Sequence, residues 1–348
     1  MKILLVDNGM TLDFNTPYVQ LLGGSETSIL LLSKGLAELG HQVVLLTNNN
    51  VNRMQNGNRI LDSVNLFDGY AEISDVIILN RFIPQSINSF KDKKIFFYSH
   101  DAYDQAGIQW LRQPNIEKFF NKIFCVSEWQ KQTFVKYFNC DDDYFEVIGN
   151  PIDYSLHYGH VERQENRLIF ASIPYKGLKF LPDLFTDICI KSKKKLELQV
   201  FSSFQLYGRP EEDESYGEIF KKLNGMNDVV LNNPISMKGL AYEFMKSSLL
   251  IHPSTYAETF GRVFVEAMAS GCLPVTVNNG ANKEVIEDNG FVLGFPNIEN
   301  IKCYEAFVDK TCELLDSDLY GKRVKAKDNM KKFNYINISR KVESYLGE

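Results

Sequence analysis

The feature that most constrains this chain is a rhythm of short apolar runs and helical patterns that begins, breaks and begins again. Ile3-Leu4-Leu5-Val6 opens it and Asp7 closes the run, so Lys2–Asp7 reads as a first strand rather than a leader segment. After a polar loop, Gly23-Gly24-Ser25-Glu26 leads into Ile29, Leu30, Leu32, Leu36 and Leu39 at helical spacing, with Gly40 as a natural stop. Strands are expected at 42–47, 76–80, 94–99, 123–127 and 145–148, with an amphipathic helix over 128–138 between the last two. The break falls at Gly149-Asn150-Pro151-Ile152-Asp153, followed by a polar stretch to Arg167. The rhythm then restarts, with strands expected at 168–171, 196–201, 229–231, 249–252 and 274–277. Strands alternating with helices mean βαβ units and a parallel, doubly wound sheet, here twice over.

A length of 348 residues suits two domains, each able to bury a core. The boundaries expected are 1–151 and 152–335, with a C-terminal helix from about 336 to 348 packing back on the first domain through Ile338, Val342, Tyr345 and Leu346. A net charge of −6 argues against a broad nucleic-acid-binding face. No apolar run approaches the ~20 residues of a membrane span. The aromatic residues of 113–138 are read as packing on their own sheet, so membrane contact is not indicated. Six cysteines without CxxC pairing, several inside apolar runs, read as reduced thiols of a cytoplasmic protein. The lysines of 191–195 read as a solvated helix end. His157 and His160 lack a zinc-like neighbourhood and are expected on a solvent-facing loop.

The densest chemical signal runs from His252 to Gly271. It reads as a strand end, a loop and a helix opening near Gly261. A glycine there lets a ligand approach the backbone, and the free N–H groups of a helix start form an anion site. Glu258 falls on the loop and Glu266 about a turn inside the helix, suiting a ligand with an anionic middle and hydroxyls at both ends. Arg262 and Glu266, four apart, also suit a plain surface ion pair. Against that, Glu266 sits in an almost wholly apolar helix, where an unpartnered carboxylate is costly. Gly23-Gly24 lacks the spacing of a dinucleotide site, and no Walker motif occurs.

This segment resembles the E-x7-E region of retaining glycosyltransferases of family 4, nucleotide-sugar enzymes of the GT-B fold. Other stretches are similar in order and position: Gly23-Gly24, Ser99-His100-Asp101, Val126-Ser127-Glu128, the hinge-like run 147–153, Tyr175-Lys176-Gly177, Gly271-Cys272-Leu273-Pro274-Val275 and Gly280–Glu284. The resemblance implies two Rossmann-like domains facing across a cleft. It implies that Glu266 binds the nucleotide ribose and Glu258 the donor-sugar hydroxyls, beside the backbone of Thr259, Phe260, Gly261 and Arg262. Lys176 would neutralise the diphosphate without a metal, Gly23 and Gly24 would close on the donor, and His100 would sit at the reacting centre. His100, Glu258 and Lys176 are thus the catalytic candidates, with a UDP- or GDP-sugar as co-substrate and a glycan or lipid-linked saccharide as acceptor.

Two departures from the family pattern stand out. Ser172 stands where an Arg is usual, leaving Ser172 and Arg209, or Arg262, to support the phosphates; Asn150-Pro151 replaces Asn-Gly and stiffens the hinge. The competing readings are a nucleotide-sugar epimerase or a glycan phosphorylase on the same scaffold, and a sugar-nucleotide-binding module without turnover. A phosphorylase calls for a pyridoxal-phosphate lysine or an inorganic phosphate pocket, which no residue identifies. The binding module would bind nucleotide without donor transfer or hydrolysis. The loops 7–22 and 101–113 are expected to shape the acceptor site.

Overall fold

Apolar runs on both sides of turn residues dictate the architecture. A computed structural model describes residues 1–9, 18, 21–48, 53–55, 58–62 and 67–347. They divide into two units, the first holding residues 22–153 and 332–347 with the N-terminal strand, the second residues 154–331.

The first unit carries an eight-stranded sheet of β1 (Lys2–Asp7), β2 (Gln42–Thr47), β3 (Arg53–Gln55), β4 (Asn58–Asp62), β5 (Val76–Asn80), β6 (Lys94–Tyr98), β7 (Lys122–Cys125) and β8 (Phe145–Val147). Their spatial order is β3-β4-β2-β1-β5-β6-β7-β8, with the order reversing direction between β1 and β5. Every pairing is parallel except the edge pair β3–β4. Ile3 faces Val43 and Val76, and Leu4 faces Val44 and Ile77, so the central strands are apolar between their ends and largely buried on both faces. Helices α1 (Gly24–Glu38), α2 (Phe67–Ile73) and α3 (Glu128–Phe138) cover it. Ser127 caps α3 by accepting from the Gln130 N–H, and Asn139 ends it in the left-handed region at φ 55°.

The second unit carries a wholly parallel sheet of β9 (Gln164–Ala171), β10 (Glu197–Phe201), β11 (Val229–Asn232), β12 (Ser247–His252), β13 (Leu273–Val277) and β14 (Phe291–Leu293), in the order β11-β10-β9-β12-β13-β14. Helices α4 (Leu181–Ser192), α5 (Gly217–Asn224), α6 (Met237–Lys246), α7 (Arg262–Ala269), α8 (Asn282–Ile286), α9 (Ile301–Leu315) and α10 (Tyr320–Met330) flank it. A final helix, α11 (Tyr335–Leu346), packs on α1 within the first unit, burying Ile338, Ser339, Val342 and Leu346. The chain passes between units at neighbouring points, where the Ile152 N–H donates to the Phe333 carbonyl at 2.9 Å and the Tyr335 N–H to the Ile152 carbonyl at 2.9 Å.

The doubly wound α/β class expected from the alternation is what the chain adopts. The expected strand at 168–171 begins earlier, at Gln164, because its polar first half still pairs in the ladder opposite Ser247. The pairs β3–β4 and the edge strand β14 had no strong apolar signature. His157, expected on a solvent-facing loop, is instead buried, with Nδ1 bonded to Ser270 Oγ at 2.7 Å; His160 is exposed. Its burial comes from a short 3-10 turn, Tyr154–His157, that packs on α6 and α7, a tertiary contact that no local pattern announces.

Candidate active site

Open parallel sheets place their loops for ligands at the carboxyl ends of the strands. In the second unit these ends belong to β9 and β12. From β9 the chain turns through Ser172 and Ile173 into a 3-10 turn, Pro174–Lys176, ended by Gly177 at φ 115°. That glycine is obligatory on two counts. A side chain is strained at this φ, and a Cβ would lie 2.8 Å from the Pro253 carbonyl oxygen, in the loop after β12. The close approach of the two loops carries Lys176 to Glu258.

Lys176 Nζ donates to Glu258 Oε2 at 2.7 Å. The lysine side chain is 17% exposed and the glutamate 6%, so this is an almost buried pair. Burial works against the ammonium, yet the attraction of Glu258 outweighs it and holds Lys176 above the ordinary lysine value. The same Nζ lies 4.6 Å from the centre of the Tyr256 ring, and Tyr175 packs edge-on against that ring at 5.4 Å. Burial raises the Tyr175 hydroxyl above the usual range, so the ring stays neutral beside the cation.

Glu258 is held from its backbone as well. Its carbonyl accepts from the Ala281 N–H at 2.8 Å and it bridges in parallel to Gly280. A Cβ at Gly280 would lie 2.3 Å from the Glu258 oxygen, so the two backbones meet only because that residue is glycine. Behind Glu258 stands His252, the last residue of β12. It is fully buried, with Nε2 3.9 Å from Glu258 Oε1 and its ring between Phe170 and Phe264. Burial lowers its pKa to about 4, leaving a neutral imidazole, and neither ring nitrogen has a hydrogen-bond partner among the described residues.

Gly261, at φ 73°, begins α7, and a Cβ there would strike the Phe264 ring at 2.5 Å. Arg262 donates to Glu266 Oε1 at 2.5 Å across one turn, with both side chains 11% exposed. Thr259 is half-buried and Phe260 buried in the loop between Glu258 and Gly261. Ser172 is half-buried, its N–H donating to the Phe201 carbonyl at 3.2 Å. Arg209 pairs with Glu212 at 2.8 Å and lies over the Tyr207 ring, on an exposed turn.

The remaining candidates belong to the first unit. Gly23 precedes α1, and its carbonyl accepts from both the Thr27 N–H at 3.0 Å and Oγ1 at 2.7 Å; Gly24 opens the helix. His100 lies just past β6 with Nε2 3.0 Å from Asn80 Oδ1, and Asn80 Nδ2 donates to Asp7 Oδ1 at 2.6 Å. Burial raises the Asp7 carboxyl to about 6, with Glu26 adding to the rise against the Asn80 bond. Arg81, at φ 56°, grips Asp101 through two bonds of 3.1 and 2.7 Å. Asp7, Asn80, Arg81 and His252 had escaped sequence reasoning. All four stand at the last or next residue of a strand, the one signal that pointed to them.

The fold places these two polar clusters at strand ends of a doubly wound α/β protein, built twice. Residues 164–333 match the family described as glycosyl transferases group 1, so the second unit carries a domain of that group. No curated protein matches the chain in sequence. Among solved structures the chain is similar to HepE of Anabaena, determined in complex with UDP and glucose, at a TM-score of 0.69 and 16% identity over 100% of this chain and 99% of that one. It is similar to a glycosyltransferase of Rickettsia africae at 0.71 and 18%, over 99% and 97%. It is also similar to the sucrose-phosphate synthase of Thermosynechococcus elongatus at 0.73 and 14%, over 99% and 97%. The shared architecture is the GT-B fold.

Proposed function

We propose that the chain is a retaining glycosyltransferase of the family 4 type. It moves a sugar from a nucleoside-diphosphate sugar, UDP- or GDP-linked, to a hydroxyl of a glycan or lipid-linked saccharide. The observation that carries this reading is the Lys176–Glu258 pair, held almost buried at the strand ends of a glycosyl transferases group 1 domain. HepE, determined with UDP, supports the choice of a uridine donor first.

In this reading Lys176 exchanges Glu258 for the diphosphate, and Glu258 turns to the hydroxyls of the donor sugar. Glu266, oriented by Arg262 through one oxygen, receives the ribose hydroxyls with the other. As the bond from the anomeric carbon to the phosphate oxygen breaks, charge grows on the diphosphate. Lys176 and the N–H groups that open α7 stabilise it there, without a metal ion. The sugar becomes oxocarbenium-like. The acceptor oxygen bonds to the anomeric carbon from the face the phosphate leaves, and its proton passes to the departing phosphate. His100, its Nε2 side fixed by Asn80, hydrogen-bonds the reacting groups, and Gly23-Gly24 closes on the donor. Ser172 and Arg209 line the approach to the phosphates. The free, mostly buried cysteines suit a cytoplasmic enzyme.

Calorimetry with UDP, GDP, ADP, dTDP and CMP tests the assignment. One nucleoside diphosphate is expected to bind at micromolar strength and to lose that binding in Glu266→Ala. Equal binding by the variant, or no binding of any nucleotide, removes the reading.

A further inference from the structure

His252 closes β12, a strand buried along its whole length, and its own side chain is fully enclosed. A polar ring in that position is costly unless it has a partner. Yet neither nitrogen has a hydrogen-bond partner among the described residues. The ring is not free to turn and find one. Its backbone is pinned in the pairing with β13, where the His252 carbonyl accepts from Thr276 Oγ1 at 2.8 Å. Phe170 lies nearly parallel to the ring, at 21°, and Phe264 meets it edge-on at 4.8 Å.

What faces Nε2 is Glu258 Oε1, at 3.9 Å. That is about 1 Å too long for a hydrogen bond. The carboxylate is divided between two neighbours: Oε2 accepts from Lys176 Nζ at 2.7 Å, and Oε1 is the oxygen turned to the histidine. A carboxylate only accepts, so the neutral imidazole facing it carries its proton on Nε2. The Glu258 backbone is fixed through Ala281 and Gly280, which leaves its side chain to close the gap. In the proposed reaction the ammonium leaves Glu258 for the diphosphate, and a carboxylate with 6% exposure then stands without its cation. A buried charge in that state is strongly destabilising unless another donor replaces the one lost.

We propose that His252 is the positioning residue that receives Glu258 when Lys176 departs. Its Nε2–H closes on Oε1 and keeps the carboxylate ionised and aimed, while Oε2, released by the lysine, takes a sugar hydroxyl. The histidine acts through Glu258 and does not itself touch the nucleotide sugar. The inference rests on the glycosyltransferase reading for the diphosphate that draws the lysine away, while the handover between the two donors does not.

Lys176→Met removes the ammonium and leaves Glu258 to the histidine. The chain has five histidines, and the His252 ring N–H is assigned in a nitrogen-15 spectrum by its absence from His252→Phe. Lys176→Met is expected to move that resonance downfield and to slow its exchange with water. Adding Glu258→Met is expected to abolish both changes. If Lys176→Met loses its fold by circular dichroism, Lys176→Gln, too short to reach Oε2, takes its place. No movement in the folded variant, or the same movement without Glu258, overturns the proposal. UDP, or GDP where the parent prefers it, supplies the second readout, because it draws off the lysine in the intact site. Its affinity is expected to fall about tenfold in His252→Phe, which keeps the ring and lacks the donor. It is expected to stay within about threefold of the parent in His252→Gln, whose amide N–H reaches the place of Nε2. Equal affinities in these two variants overturn the proposal as well. A parent that binds no nucleoside diphosphate removes the glycosyltransferase reading, and the lysine-variant spectra then decide on His252 alone.

Discussion

At the scale of single residues the Lys176–Glu258 pair sets the energetics of the site. A carboxylate with 6% exposure depends on its cation, because removing one partner of a buried pair leaves an uncompensated charge. Lys176→Met is expected to cost about 3 kcal/mol of stability in urea unfolding followed by far-ultraviolet circular dichroism. Adding Glu258→Gln removes the orphaned charge and restores most of that loss, while nucleotide affinity stays lost. If the double variant is as unstable as the single one, the pair is not what the site depends on. This pairing was hidden from the sequence, since the partners are 82 residues apart and meet only through Gly177 and the Pro253 carbonyl. Arg262–Glu266, four apart on one helix, was readable directly. His252 was illegible for a further reason: its burial comes from Phe170 and Phe264, on a neighbouring strand and a later helix.

Among the elements, the contact between α1 and α11 rests on one small residue. A Cβ at Gly35 would lie 2.1 Å from Ser339 Oγ and 2.9 Å from Ser339 Cβ. Helix propensity alone favours Gly35→Ala by about 1 kcal/mol. Overpacking against Ser339 works the other way by about 1–3 kcal/mol. The steric term wins, because the nearest atoms belong to a short side chain on a packed helix and cannot swing aside. Gly35→Ala is therefore expected to lower the melting temperature, and Ser339→Gly added to it to recover part of the loss in a double-mutant cycle. Strict additivity of the two changes would show that the helices do not meet there. At this scale the central strands and α1 and α3 were legible, because apolar periods and caps are local properties. The edge strands β3 and β14 and the adjoining β4 were not, since strand pairing supplies them with order that their own residues do not announce.

For the whole molecule, acid acts on the two units in opposite senses. Asp7, in the first unit, titrates near 6 when folded and near 4 when unfolded. The folded carboxyl keeps its proton where the unfolded chain has lost it, so stability falls as pH rises from about 4 to about 6. His252, in the second unit, titrates near 4 when folded and near 6.5 when unfolded. The unfolded chain takes up that proton first, so stability falls as pH drops from about 6.5 to about 4. Between pH 7 and pH 5 the first unit is expected to gain about 1 kcal/mol through Asp7 and the second to lose about 2 kcal/mol through His252. Both tryptophans lie in the first unit, so their fluorescence reports its unfolding separately. The gain should disappear from the fluorescence-detected urea midpoint in Asp7→Asn. Hydrogen exchange over β12 and β13, corrected for intrinsic rates, should show the loss in the parent and not in His252→Phe, whose ring fits among the same aromatic neighbours. A parent and a His252→Phe variant with the same pH dependence over those strands would mean that the histidine is charged when folded, and the neutral imidazole behind Glu258 would have to be abandoned.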